Sequence, residues 1–309
     1  MGHSLPELIA HYLSTNRTQK ESTRNWIRQA WKLLVKLKGP MPVSDFGYGD
    51  AEDFQAYLYD HGYKPRTIIG YTKAVQGVMN WAWLRGYRQG DPFGRLKHPK
   101  IAQEEIRVFT QAELHDMLAS APTEMGRARI LTAATAGLRR SEVLNLTVRD
   151  IDFDKGYIKV QAKKQTADTW EYGTKSYESR RVPLTESLSK SLAEIMLNLP
   201  DGQPYLMLSP KRYWWLQQLR YKRTLKERVR TCPDENFSRW FQRILSDANI
   251  ADGSFHDLRK TCISHWTWSG LAAQEVQKLA GHADIKTTML YYAGVRTDVL
   301  RIARSCSIV

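Results

Sequence analysis

The chain has 309 residues, 42% hydrophobic and 25% charged, an ordinary globular composition that excludes disordered and collagen-like chains. Lys and Arg number 46 against 32 Asp and Glu, and this net charge of +14 favours a polyanionic partner, either nucleic acid or an acidic membrane surface. No apolar run approaches the ~20 residues of a membrane-spanning helix, and the first residues lack the features of a signal peptide, so we expect no membrane partner.

The cysteines predict a reducing compartment. Cys232, Cys262 and Cys306 are odd in number and far apart, so they form neither a disulfide framework nor a zinc-binding spacing. We therefore expect a cytoplasmic protein.

The first hundred residues predict a small helical domain. One helix is expected from Ser22 or Thr23 to about Lys38, where Gly39-Pro40 would end it. Its apolar residues recur at helical spacing: Trp26, Ile27, Ala30, Trp31, Leu34 and Leu37.

Two further helices are expected in this domain, at about 50–61 and from about Thr67. Gly62 ends the first of these, and Gly90-Asp91-Pro92 ends the unit. The polar run 95–105 has little periodicity and predicts an interdomain linker. The predicted organisation is therefore a helical domain at 1–94, a linker at 95–105 and a second domain at 106–309.

Basic residues follow one another every four positions on the first predicted helix. The spacing places them on a slowly winding ridge, and no acidic residue stands at i,i+4 to neutralise them within the helix. This ridge is either a solvated face or a phosphate-binding surface. The candidate nucleic-acid contacts of the domain and linker are Arg24, Arg28, Lys32, Lys36, Lys73, Lys97 and Lys100.

The second domain mixes helices and strands. Strands are predicted at 156–160 and 180–184, joined by a long polar hairpin loop. Helical stretches are predicted at 111–120, 130–136, 141–146, 237–248, 255–268 and 272–280. The basic segment 211–230 carries interleaved Trp and Tyr residues, which suits a nucleic-acid contact and a solvated amphipathic helix equally well.

Three clusters in this domain carry residues suited to phosphate chemistry. They are TAGLRRSEVLNL at 135–146, HDLRKT at 256–261 and LAGHADIKTTMLYY at 279–292. Taken singly, each has an ordinary explanation as surface arginines, a satisfied histidine or a packed tyrosine. Their order and content together match a known pattern.

The sequence resembles the tyrosine recombinases of the phage integrase family. Arg139 stands in the Gly-Leu-Arg-x-Ser-Glu context of that family, and His256 and Arg259 form its His-x-x-Arg pair. His282 follows Gly281, although Ala280 replaces the leucine of the family's Leu-Gly-His, and Tyr291 lies nine residues beyond that histidine.

The hairpin lysine of the family is less sharply placed. The run from Lys175 to Leu184 is similar to the family's lysine-containing approach to a Val-Pro-Leu strand, with Ser176 in place of threonine. Lys163 and Lys164, directly after the first strand, are the alternatives.

The resemblance implies a mainly α fold with a small β-sheet in the C-terminal domain. It also implies a two-domain clamp, in which a helical core-binding domain is joined to an α+β catalytic domain. The implied function is site-specific recombination, in which DNA strands are cut and rejoined through a 3′-phosphotyrosine. The implied partner is double-stranded DNA with a specific recombination site, bound by a homotetramer.

The resemblance also assigns catalytic roles. Tyr291 would be the nucleophile, His256 its base and Lys175 the proton donor to the leaving oxygen. Bidentate, permanently charged guanidiniums suit the phosphate oxygens, so Arg139 and Arg259 would hold them. No metal is expected, because these cations supply the charge that a metal would otherwise provide. No ATP or other cofactor is expected either, because one phosphate ester replaces another and the bond energy is retained.

His282 would donate a hydrogen bond to the phosphate. Two rival functions use related residues: a type IB topoisomerase-like relaxing enzyme and a non-catalytic DNA-binding protein. The His-x-x-Arg pair favours the recombinase over the first, and the complete set of catalytic residue types argues against the second. The tail after Tyr291 has roughly helical apolar spacing and suits docking on a neighbouring subunit or on its own domain.

Overall fold

The computed structural model of this chain describes residues 3–101, 105–173 and 179–293. The chain divides into two compact units, residues 1–104 and 105–309. It is mainly helical with one small sheet in the second unit, which confirms the predicted fold class. Within the described segments, no helix combines the length and apolar character needed to cross a bilayer.

The first unit is a helical domain with its own apolar core. Its helices are α1 (Leu5–Thr15), α2 (Glu21–Lys38), α3 (Tyr48–Asp60) and α4 (Pro65–Leu84). The predicted first helix corresponds to α2, which ends at Gly39 with φ +69°. α2 packs against α4, and Trp31 is buried between the helices with its indole N–H donating to the carbonyl of Leu5 at 2.9 Å.

One residue of the predicted apolar face of α2 lies at its edge. Trp26 is 39% exposed. Its indole lies over Gly70 of α4, where an added Cβ atom would come within 2.8 Å of the ring. The indole N–H donates to the Gly70 carbonyl at 3.3 Å. Gly70 therefore allows the two helices to approach at this point.

The second unit begins with three helices and a small sheet. These helices are α5 (Gln111–Ser120), α6 (Glu124–Ala136) and α7 (Arg140–Leu144). The strands are β1 (Ile151–Asp152), β2 (Tyr157–Val160) and β3 (Arg180–Pro183). In the order β1-β2-β3 they form an antiparallel sheet in which Ile158 pairs with Val182, as expected for the predicted hairpin.

Helices complete the second unit. They are α8 (Glu186–Leu197), α9 (Pro210–Tyr221), α10 (Glu227–Thr231), α11 (Phe237–Asp247), α12 (Phe255–Trp268), α13 (Ala273–Ala280) and α14 (Ile285–Ala293). α12 packs along α6 at the centre of the unit, and its Thr261 hydroxyl accepts a hydrogen bond from the Phe109 backbone at 2.9 Å. The basic segment 211–230 is thus largely helical, with Tyr213 and Leu216 on the buried face of α9.

The turn between α6 and α7 depends on Gly137. Its φ is +64°, and an added Cβ would lie 2.9 Å from the ring of Trp266 on α12. Both the left-handed conformation and the close approach favour glycine. The turn places Arg139 immediately before α7.

The predicted polar hairpin loop between β2 and β3 is not polar throughout. In its described part, Trp170 is 1% exposed and stacks on Tyr205 with ring centroids 3.9 Å apart. The Trp170 indole N–H donates to the Asn145 side chain at 2.9 Å, next to α7. α9 holds the same segment, because Gln217 and Arg220 donate to its backbone carbonyls. Tyr172 is also buried, at 5% exposed, so the loop predicted as polar buries two apolar residues, of which Trp170 is the anchor. Isolated apolar residues show no periodicity from which their burial could be predicted.

Replacing this anchor should destabilise the second unit. We expect Trp170→Ala to lower the free energy of unfolding by about 3–5 kcal/mol, because a buried aromatic side chain and its hydrogen bond are lost. Trp214→Ala on α9, where the side chain is 46% exposed, is the matched control and should change it by less than about 1 kcal/mol. Urea unfolding measures both variants, followed by far-ultraviolet circular dichroism, which reports helix content without using tryptophan fluorescence. Equal losses of the free energy of unfolding in the two variants would contradict the role assigned to Trp170.

Candidate active site

Arg139 is fixed at the start of α7 by an acidic residue one turn later. Its backbone N–H donates to Glu142 at 2.8 Å, and its guanidinium donates to the same carboxylate at 2.9 Å. A second guanidinium nitrogen donates to the carbonyl of Gly281 at 2.6 Å. The side chain keeps 19% of its surface exposed, so it remains accessible to a ligand.

Glu142 is buried but charged. Two nitrogens of Arg180 donate to its two carboxylate oxygens at 2.9 and 2.6 Å. Burial acts to raise the pKa of this carboxyl, but the ion pairs with Arg180 and Arg139 outweigh it and lower the pKa to about 2. Glu142 is therefore an anion that holds two arginines at the site.

Arg259 approaches from α12 and is only 2% exposed. Its guanidinium donates to the carbonyls of Gly137 and, at 2.6 Å, Ala280. Burial and the neighbouring Arg139 lower the pKa of this guanidinium, which means that its charge is poorly compensated. An anion bound beside these arginines would relieve that unfavourable field.

Two histidines face the same cluster of positive charge. His282 follows the end of α13, is half-buried, and has its Nδ1 2.9 Å from the Thr288 hydroxyl. Desolvation, Arg259 and Arg139 lower the pKa of His282 to about 4. Desolvation and Arg259 also lower the pKa of His256, which stays exposed at one edge. Both imidazoles are therefore neutral at pH about 7.

Tyr291 lies on α14 beside these groups. It is 9% exposed, and its ring lies nearly parallel to that of His282 with centroids 6.1 Å apart. Burial raises the pKa of the phenol while Arg259 acts to lower it, so the hydroxyl is protonated and needs a base to become a nucleophile. The neighbouring Tyr292 instead donates its hydroxyl to the Leu271 carbonyl.

The structure thus brings together Arg139, His256, Arg259, His282 and Tyr291, which lie up to 152 residues apart in the chain. Lys175 lies outside the described residues. Of its alternatives, Lys163 is 11% exposed and bound to the buried Asp150 at 2.5 Å, whereas Lys164 is exposed.

The basic residues of the first unit fall into two groups. The prediction that no charge is neutralised within the helix was wrong, because Glu21 lies 3.6 Å from Arg24 and 3.0 Å from Arg28. The i,i+3 spacing and the length of the arginine side chains allow contacts that an i,i+4 rule misses. The other candidates are exposed and have no recorded ion pair among the described residues: Lys32, Lys36, Lys73, Lys97 and Lys100.

The role of Arg180 was missed from the sequence. In the sequence, Arg180 stands just before Val182-Pro183-Leu184, and Glu142 stands in the Gly-Leu-Arg-x-Ser-Glu motif. The available signal is the charge complementarity between Arg180, at the start of a short strand, and Glu142 in the Gly-Leu-Arg-x-Ser-Glu motif.

Comparison with known proteins agrees with this geometry. The sequence profile of the phage integrase family matches residues 107–296, which is more than half of the chain and contains every residue of the cluster. The chain belongs to the phage integrase family. Members of this family are tyrosine recombinases, so the predicted class of enzyme, a site-specific DNA recombinase, is confirmed, and the topoisomerase-like and non-catalytic alternatives are not favoured.

Similar integrase-family proteins cover nearly the whole chain. Tyrosine recombinase XerA from Pyrococcus furiosus is 26% identical over 290 residues, covering 92% of this chain and 87% of the relative. The Tn1549 transposon integrase, solved in complex with a circular intermediate DNA, has a similar fold with a TM-score of 0.75 and 17% identity, covering 97% of this chain and 100% of that structure.

A third similar protein is lambda integrase, solved as a tetramer bound to a Holliday junction. Its TM-score is 0.68 at 16% identity, and the match covers 94% of this chain and 77% of that one. At these identities the likeness concerns the fold of the integrase family.

The buried Glu142 carboxylate should make stability depend on pH. A carboxyl whose pKa is lowered on folding stabilises the protein above its unfolded pKa, and this contribution is lost as the pH falls from 4.5 towards about 2. We expect Glu142→Gln to be roughly 3 kcal/mol less stable than the wild type near pH 7, and the difference to shrink towards about pH 3.

Urea unfolding at a series of pH values measures this difference. Glu186→Gln is the matched control, because Glu186 pairs with Lys190 on the exposed face of α8 with 83% of its side chain accessible. The control should follow the wild type throughout. A difference between Glu142→Gln and the wild type that stays constant with pH would contradict the assigned charge.

Proposed function

We propose that this recombinase cleaves DNA by attack of the Tyr291 hydroxyl on one scissile phosphate held by Arg139 and Arg259. The observation that carries the proposal is the convergence of the two arginines, which donate to the adjacent carbonyls of Gly281 and Ala280 beside the Tyr291 ring. A guanidinium has five N–H donors, so each arginine keeps donors for the phosphate.

The arginines supply the charge that the reaction requires. In-line attack adds negative charge to the non-bridging phosphate oxygens, and preorganised cations stabilise that charge best where water is excluded. The site meets this condition because Arg259 is almost fully buried and Glu142 fixes Arg139. We therefore propose that the chemistry uses no metal, and no ATP or other cofactor, because one phosphate ester replaces another.

Proton transfers follow from the protonation states of the free site. The lowered pKa of His256 leaves it neutral and able to accept the phenolic proton, while the raised pKa of Tyr291 keeps that proton in place until the base takes it. The tyrosine oxygen then bonds to phosphorus, the bond to the 5′-oxygen breaks, and a 3′-phosphotyrosine forms. His282 donates a hydrogen bond to the phosphate.

The leaving 5′-oxygen takes a proton from Lys175 and departs as a hydroxyl. Reversal of these steps by a second 5′-hydroxyl reseals a strand, because one phosphate ester has replaced another. The buried ion pair between Lys163 and Asp150 supports Lys175 over Lys163, since it holds the Lys163 ammonium at that carboxylate with only 11% of the side chain exposed.

We further propose that the partner is double-stranded DNA with a specific recombination site, bound by both units. The exposed lysines Lys32, Lys36, Lys73, Lys97 and Lys100 would contact its phosphates, with affinity that falls steeply with salt. Recombination would proceed in a homotetramer, which the DNA-bound tetramer of the similar lambda integrase supports. The tail 294–309, whose docking in cis or in trans the sequence leaves open, lies outside the described residues.

The nucleophile can be identified with a nicked suicide substrate. Cleavage of this substrate releases a short DNA fragment that diffuses away, so the strand cannot be resealed and the covalent adduct accumulates. We expect the wild type and Tyr292→Phe to form a covalent adduct, because the Tyr292 hydroxyl is bound to Leu271 and plays no part in attack. Tyr291→Phe should bind DNA normally but form no adduct, since it lacks the attacking oxygen. Denaturing gels measure the adducts, and adducts that persist in Tyr291→Phe and vanish in Tyr292→Phe would move the nucleophile by one residue.

The proton donor can be identified by the leaving group. A substrate with sulfur in place of the 5′-bridging oxygen needs no proton donor, because a thiolate leaves readily without one. We expect Lys175→Ala to slow cleavage of the ordinary substrate by roughly 10²–10⁴-fold and to cleave the sulfur substrate at the wild-type rate.

The same pair of substrates tests the alternatives. Relative to the wild type, Lys163→Ala and Lys164→Ala should cleave the sulfur substrate no better than they cleave the ordinary substrate. Rescue of either variant by sulfur, without rescue of Lys175→Ala, would reassign the proton donor.

A further inference from the structure

The end of α13 is covered by three arginines from three different elements. The last carbonyls of a helix have no partner within the helix and carry its negative dipole end. Here three consecutive carbonyls each receive one guanidinium, at 2.9, 2.6 and 2.6 Å: Leu279 from Arg180, Ala280 from Arg259 and Gly281 from Arg139. The end of this helix is therefore a common support for the arginines of the site.

Arg180 differs from the other two because all three of its nitrogens already donate to protein acceptors. Its Nε donates to Leu279, and both terminal nitrogens donate to the two oxygens of Glu142. Its side chain is 8% exposed. Three of its five N–H groups hold protein acceptors, against two in Arg139 and two in Arg259, which fits a role in holding protein groups.

A close backbone approach completes the arrangement. Gly281 has φ +64°, and an added Cβ would lie 3.1 Å from the Cδ atom of Arg180. The Arg180 side chain thus lies directly against the residue that precedes His282 and that accepts the hydrogen bond from Arg139.

We infer that Arg180 is a positioning residue for DNA cleavage. It holds Arg139 in position through Glu142, and it holds His282 in position through its contacts with Leu279 and Gly281. It touches neither DNA nor the nucleophile. The inference rests on the proposed function, because it assumes that Arg139 binds the scissile phosphate.

The test compares Arg180→Lys with the wild type by single-turnover adduct formation on the suicide substrate at saturating DNA. Lysine keeps the positive charge beside Glu142 but cannot bind both carboxylate oxygens and the Leu279 carbonyl together. We expect a loss of about 100-fold in rate, as displacement of a phosphate-binding group by about 1 Å produces, with an unchanged Kd for the site.

Arg181→Lys is the matched control. This neighbouring arginine is exposed, and its guanidinium lies over the Tyr157 ring 4.8 Å from the centroid. Its rate should stay within about 3-fold of the wild type. If Arg180→Lys fails to fold, the double variant Glu142→Gln, Arg180→Gln replaces the ion pair with a neutral hydrogen-bonded pair, and the same loss of rate is expected of it.

A double-mutant cycle separates positioning from direct contact. If Arg180 acts through Arg139, its replacement should cost much less than about 100-fold in an Arg139→Lys background, because the main group it positions is already gone and only its effect through Leu279 and Gly281 remains. An undiminished loss in that background, or a rate for Arg180→Lys equal to that of Arg181→Lys, would overturn the inference. Absence of any adduct with the wild type would overturn the proposed function and this inference together, whereas adducts at the same rate in wild type and Arg180→Lys would overturn the inference alone.

Discussion

Arginines of like charge lie close together in the second unit, and the structure must hold them there before any phosphate arrives. Their mutual field is unfavourable, since Arg139 and Arg180 both lower the pKa of the buried Arg259 guanidinium. Two features oppose it: the Glu142 carboxylate and the carbonyls at the end of α13. One anion and one helix end therefore determine where the positive charge lies, and with it where a phosphate can bind.

This arrangement leaves the site with an excess of positive charge and neutral histidines. The burial that lowers the pKa of His282 to about 4 also excludes water from the region of Arg259. Electrostatic stabilisation is stronger where water is excluded. The site is thus organised in advance for an anion, at a cost in stability that the Glu142 ion pairs offset.

Much of this could be read from the sequence because local chemistry determines it. Gly39 and Gly62 mark helix ends, α5 and α12 have the predicted bounds, and the hairpin strands lie where alternation placed them. The motifs of the candidate site could be found because they are short and contiguous.

The supporting residues could not be predicted in the same way. Arg180 and Glu142 are 38 positions apart, and no periodicity indicates that their side chains meet. The burial of Trp170 depends on Tyr205, a partner distant in sequence, and the pairing of Arg28 with Glu21 depends on side-chain reach. Tertiary contacts of this kind follow from the folded chain as a whole.

The stretch from α13 to α14 has a mechanical consequence. It contains the carbonyls that support all three arginines, then His282, then Tyr291, within a few turns of continuous chain. A rigid displacement of this stretch would withdraw the phenol and loosen every guanidinium in the same movement. In the proposed mechanism, such a displacement would remove the nucleophile and the phosphate-binding arginines together.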